Sequence, residues 1–168
     1  MNNPAHITNI ILRPGEFYFG DRHSRIRTTL GSCVSIIMWH EQRLIGGMCH
    51  YLLPNRSVSR RTALDGRYAD EAIELFMHEI RAANTEPREY QVKIFGGGNM
   101  FPRQKRRGIS INVPSKNVKA ARDLIKRYAL NVKGANLGGS GHRQIVFDVW
   151  SGHVWVRHFA IRNSDSSI

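Results

Sequence analysis

Apolar and polar residues alternate along this chain with two different periods, and the switches between them sketch the fold. Ala69, Ala72, Ile73, Phe76, Ile80 and Ala83 recur every three or four positions. That spacing gathers side chains on one face of an α-helix, predicted here from about Tyr68 to Ala83. Asp70 and Glu71 fall in its first turn, where carboxylates complement the helix dipole. The same period returns from about Lys116 to Leu130 in Val118, Ala121, Leu124, Ile125 and Tyr128. Ser115 stands where an N-cap hydroxyl is expected.

Elsewhere the pattern shortens to a strand period. "ITNIIL" (7–12) and "EFYF" (16–19) flank a Pro14-Gly15 turn, and "SRIRTTL" (24–30) alternates. "CVSIIMW" (33–39) is rich in β-branched and apolar residues. "RLIGGMCHYLL" (43–53) carries Gly46-Gly47, the mark of a bulge or of a close backbone approach. "YQVKIF" (90–95) runs into three glycines. Strands at 143–149 and about 153–160, joined near Ser151-Gly152, read as a hairpin. About eight strands and two helices, with several strand pairs lacking a helix between them, predict an α+β fold of layered mixed sheets with the two helices packed outside.

Composition narrows the class. The chain has 168 residues, 41% apolar and 23% charged, which fits one folded domain over 1–162 with a flexible tail at 163–168. No apolar run reaches the ~18 residues of a membrane helix, so no membrane insertion is expected. No signal peptide is recognisable at the N-terminus, and a cytoplasmic protein is expected. Two cysteines are too few for a disulfide scaffold, and a Cys33–Cys49 bridge is not expected in a reducing compartment. The formal charge of +12 calls for an acidic partner or surface without choosing among them. Basic clusters at 55–67 and 102–108 could serve a nucleic acid, but no RRM-type motif or helix-turn-helix accompanies them, and no nucleic-acid partner is expected.

Chemistry concentrates in "TTLGSCVSI". A cysteine at the head of an apolar strand is more often a small buried hydrophobe than a nucleophile. Here, however, Gly31 and Ser32 precede the thiol, so a carbonyl substrate could approach, and the turn's N–H groups could bind an oxyanion. A nucleophilic thiol needs a base, and His50 lies seventeen residues on, in "GGMCHYLLP". The chain has eight histidines, so spacing alone does not single out His50. Cys49 should point away from His50 and into the core, since neighbours in a strand face opposite sides. Thr28 or Thr29 could orient the imidazole, or either could be an ordinary strand threonine. "KIFGGGNMF" lacks both the P-loop and the dinucleotide fingerprints and reads as a tight turn lining a pocket. No metal-ligand spacing is present.

These segments resemble the chemoreceptor glutamine deamidase family, CheD. "RPGEFYFG", "TTLGSCVSI", "GGMCHYLLP", "RYADEAIELFMHEI", "KIFGGGNMF", "NVPSKNVKAARDLI" and "LGGSGHRQIVFDVWSGHVWV" carry the likeness over nearly the whole chain. The resemblance implies a fold like that of toxin-type cysteine deamidases. It implies a hydrolase acting on glutamines of methyl-accepting chemotaxis proteins, with glutamate methyl esters as candidate second substrates and no cofactor. It also implies Cys33 as nucleophile, His50 as general base and acid, and Thr28 as the orienting threonine with Thr29 as the alternative. A CheC-type phosphatase is the candidate regulatory partner. The segment before the second helix departs from the family pattern in carrying a proline and extra basic residues.

Overall fold

The computed structural model describes residues 4–56, 63–102 and 112–161. Its elements run β1 (Thr8–Ile11), β2 (Phe17–Gly20), β3 (Ser24–Leu30), β4 (Val34–His40), β5 (Ile45–Cys49), α1 (Ala69–Ala82), β6 (Gln91–Gly96), α2 (Val113–Arg127), β7 (Asn131–Leu137), β8 (His142–Asp148) and β9 (His153–Phe159). Strand β4 is buried at every position. A strand buries both faces only inside a stack, because successive side chains point to opposite sides. Val34, Ile36 and Met38 enter a core shared with the helices, whereas Ile37 and Trp39 enter a second core against another sheet.

The result is three layers. The middle sheet has the order β2-β5-β4-β6-β7 and the outer sheet the order β1-β3-β8-β9. Both are mixed: β6/β7 and β1/β3 are parallel pairs, and the remaining neighbours are antiparallel. Both helices lie on the free face of the middle sheet. The α+β reading therefore holds, and the turn at Pro14-Gly15 carries the chain from the outer sheet into the middle one. Gly46 and Gly47 keep register with both neighbouring strands, so they mark a close approach and not a bulge.

The helices follow their stripes, with a shift at one end. In α1, Ala69, Ala72, Ile73, Phe76 and Ile80 are buried. In α2, Val118, Ala121 and Leu124 are buried, but the helix begins at Val113 and ends at Arg127. Ser115 is therefore not the N-cap. Asn112 caps instead, its side chain accepting from the Ser115 N–H at 3.3 Å. Pro114 fits inside the first turn because its missing N–H has no partner to lose there. Glu71 was expected to act through the helix dipole. It is fully buried and takes Arg56 in a two-pronged ion pair at 2.9 and 2.8 Å.

The β8/β9 hairpin forms as predicted, and Gly152 is its tight point. Its φ is +69°, and a Cβ there would collide with the Trp39 ring, whose indole N–H donates to the Val149 carbonyl at 2.7 Å. β7 was not predicted. It is mostly exposed and contains Gly134 and Lys133, so it carries no alternation to detect. Its parallel pairing with β6 alone makes it a strand. The tail at 163–168 lies outside the described residues. No described helix is long and apolar enough to cross a membrane.

Phe76 sits at the centre of the helix-side core, edge-on to Phe17 with ring centroids 4.8 Å apart. Phe76→Ala should cost about 3–5 kcal/mol of unfolding free energy in urea titrations, with an unchanged denaturant slope.

Candidate active site

Residues 31–33 carry the chain from β3 in the outer sheet to β4 in the middle sheet. β4 begins at Val34, so Cys33 belongs to the turn and is not the first strand residue. Every carbonyl of this turn is held from behind. Gly98 N–H donates to Gly31 O at 2.9 Å and Gly97 N–H to Cys33 O at 2.8 Å. The Asn117 amide donates to Ser32 O at 3.1 Å. Among the described residues, no hydrogen bond uses the N–H groups of Gly31, Ser32 or Cys33. The Ser32 and Cys33 N–H groups share their peptides with the tethered Gly31 and Ser32 carbonyls and so point away from those tethers, an arrangement that can receive an oxyanion.

The glycine run is therefore the buttress of this turn, and its Gly97 also lines a hollow beside α2, as a turn lining a pocket should. Gly96 has φ +114°, and a Cβ there would collide with the Cys33 carbonyl oxygen. Only glycine lets β6 end so close to the turn.

His50 reaches the same place from the neighbouring strand. The β4/β5 ladder continues past β5 through a Val34–Tyr51 bridge. In that register Ser35 lies opposite His50 and Cys33 opposite Leu52. Carried one residue beyond the bridge, that register sets Cys33 diagonally across from His50, and Cys33 packs on the outer-sheet side of the middle sheet, where Thr28 meets the imidazole. Cys49 points the other way into the helix-side core. Burial pushes its thiol up to about 12, which makes it inert at neutral pH. Both cysteines are free thiols.

Thr28 and not Thr29 meets the imidazole. Thr28 is buried and Thr29 exposed, as alternation along β3 requires. The Thr28 hydroxyl donates its single proton to the Leu12 carbonyl at 2.9 Å. It also lies 2.7 Å from His50 Nδ1 and can only accept there. Nδ1 therefore carries the imidazole proton, and Nε2 keeps a lone pair. That tautomer leaves Nε2 as a base.

Burial keeps both partners neutral. It lowers the His50 pKa from 6.5 to about 4, against a smaller opposing pull from the Glu16 carboxylate. It also raises the Cys33 thiol above its ordinary value, partly offset by a hydrogen bond involving Ser32. The resting pair is a thiol beside a neutral imidazole, not a thiolate–imidazolium pair. Nucleophilic attack from this state requires proton transfer as it proceeds.

Asn117 is the site residue that sequence reasoning passed over. It looked like a polar position on an amphipathic helix, yet it is fully buried. The surviving signal was its place on the apolar face, directly before Val118. Two surface hollows, of about 440 and 270 Å³, lie along α2 and include neither Cys33 nor His50. Of the basic clusters, 57–62 and 103–108 lie outside the described residues; Arg56 is tied to Glu71. The described residues contain no cluster of metal ligands.

Residues 52–158 match the family described as CheD chemotactic sensory transduction. A protein named "Probable chemoreceptor glutamine deamidase CheD" from Pseudomonas syringae pv. tomato is 49% identical over 158 residues, 94% of each chain. That stretch is too long to leave out residue 33 or 50. A Dechloromonas aromatica protein named "Probable chemoreceptor glutamine deamidase CheD 3" is 46% identical, covering 91% of this chain and 89% of its own. A Leptospira interrogans protein named "Probable chemoreceptor glutamine deamidase CheD 1" is 36% identical over 91% of this chain and 94% of its own. The chain belongs to the CheD family.

The depressed His50 pKa has a sign that can be checked. Between about pH 6.5 and about 4 the unfolded chain binds a proton on this ring that the folded protein excludes. His50's contribution is thus complete above 6.5 and is lost as pH falls toward 4, by about 3 kcal/mol in all. Unfolding free energies should show that acid loss in the native protein and a shallower one in His50→Gln. Equal slopes would contradict the assignment, as would an Nε2–H tautomer in imidazole ¹⁵N spectra at neutral pH.

Proposed function

Starting from membership of the CheD family, we propose that this chain is a protein-glutamine deamidase acting on methyl-accepting chemotaxis receptors in the cytoplasm. The observation that carries this reading is the Thr28–His50 hydrogen bond, which supplies an Nε2 base on the strand face shared with Cys33. The names of the relatives supply the substrate class.

The chemistry runs in two acyl transfers. His50 Nε2 takes the Cys33 proton as the sulfur attacks the Cδ of a receptor glutamine. The N–H groups of the 31–33 turn receive the oxyanion. The imidazolium then protonates the amide nitrogen, which leaves as ammonia, and a thioester remains. Water gives its proton to Nε2 and attacks the thioester. Collapse releases glutamate, and the sulfur recovers the proton. Thr28 holds the ring so that Nε2 faces the sulfur, the part of the third member of a catalytic triad. A glutamate methyl ester would follow the same route more easily, because its alcohol leaves better than ammonia. No cofactor enters any step.

Each turnover replaces a neutral amide with a carboxylate. A chain with a formal charge of +12 would be steered to an acidic receptor surface, and faster at low salt. A CheC-type phosphatase is proposed as a regulatory partner on family resemblance.

Mixing the protein with a receptor cytoplasmic fragment and following intact mass tests the reading, since each glutamine converted adds about 1 Da. Cys33→Ala should abolish the gain, and His50→Ala should slow it by about 10²–10⁴-fold. Thr28→Val, which keeps the shape but not the hydrogen bond, should cost on the order of 10²-fold through misplacement of the ring. A full gain with Cys33→Ala would leave an adaptor that only binds receptors. For the native protein, the acid limb of kcat/KM should fall near pH 4, not near the ordinary histidine value.

A further inference from the structure

We propose that Asn117 is a positioning residue for the Cys33–His50 pair, setting the separation of thiol and imidazole from beneath the sheet. The inference rests on the deamidase reading for its kinetic consequence, but not for its structural one.

The two site residues lie just beyond the regular ends of their strands. β5 ends at Cys49, and β4 does not begin until Val34. Past those ends the ladder between them is carried by the single Val34–Tyr51 bridge. Asn117 bonds to both sides of this junction. Its amide donates to Ser32 O at 3.1 Å, one residue before the thiol, and to Leu52 O at 2.7 Å, two residues after the imidazole. Its backbone carbonyl accepts from the Tyr51 hydroxyl at 2.6 Å. The partners of the amide nitrogen are both carbonyl oxygens, so only the NH₂ end can face them.

The remaining atom shows that stability alone does not account for this residue. Asn117 Oδ1 is buried with no hydrogen-bond partner among the described residues, a liability in any folded protein. A leucine of similar shape would remove that liability and fill the same space. What leucine lacks is the pair of donors that ties the Cys33 turn to the strand of His50. α2 also lies across the middle sheet from the imidazole, so Asn117 acts through the backbone and not on the substrate.

Asn117→Leu and Asn117→Asp test this. The leucine keeps the volume and loses both donors. A buried aspartic acid, protonated, keeps one. Two readouts are taken on each folded variant. The first is kcat and KM for the receptor fragment by intact mass. The second is the pH profile of Cys33 alkylation by iodoacetamide, which needs no deamidase activity. For Asn117→Leu, kcat should drop about tenfold or more with KM within about twofold, because a loosened turn misplaces the sulfur without removing a substrate contact. Its alkylation midpoint should move to lower pH, as the released turn lets water reach the thiol. Asn117→Asp should fall between wild type and leucine in both.

Unchanged kcat with an unchanged alkylation midpoint overturns the proposal, and so does a lowered melting temperature without either change. If the wild-type protein itself fails to deamidate, the function above falls while the alkylation profile still decides the role of Asn117. If Asn117→Leu does not fold, the aspartate variant decides by the same two readouts.

Discussion

The structure depends on how one three-residue turn is held. Gly31, Ser32 and Cys33 cross from the outer sheet to the middle sheet, and each of their carbonyls is bonded by a donor behind them: Gly98, Asn117 and Gly97 in turn. A peptide's C=O and the N–H of the next residue point in opposite senses, so fixing the Gly31 and Ser32 carbonyls also aims the Ser32 and Cys33 N–H groups. The rest of the chain can be understood as the means of supplying those three donors. β6 delivers the glycines, and Gly96 must lack a side chain because a Cβ there would meet the Cys33 carbonyl oxygen. α2 delivers the asparagine, and the layered core holds both elements in place.

The same layering sets the electrostatics. His50 is 2% exposed, which makes its imidazolium costly and its neutral form the stable one. Burial also disfavours the Cys33 thiolate. The two effects reinforce one another, because a buried ion pair here would have to recover two desolvation penalties. Both groups rest neutral, so in the proposed reaction charge would appear only as attack begins. Thr28 completes this economy by fixing which ring nitrogen bears the proton, using a hydroxyl whose own proton is already engaged by Leu12.

Membership of the CheD family supplies the substrate class, and the geometry fits its chemistry. The large positive charge suits an acidic target.

Much of this was legible in the chain. The two helices, the C-terminal hairpin, the α+β class and the opposite orientations of Cys49 and His50 follow from periodicity, because a period of 3.6 or 2 states which side chains share a face. β7 was invisible because an exposed edge strand needs no apolar face, and the start of α2 was misplaced because Asn112 and Pro114 form a cap that a search for serine overlooks. Within the site, the sequence by itself determined that Cys33 follows small residues and that His50 lies on a neighbouring strand. The choice between Thr28 and Thr29, the proton on Nδ1, the neutrality of the pair and the place of Asn117 came only with the tertiary structure. Each depends on distances between segments far apart in the chain, and local pattern encodes faces but not the register in which those faces meet.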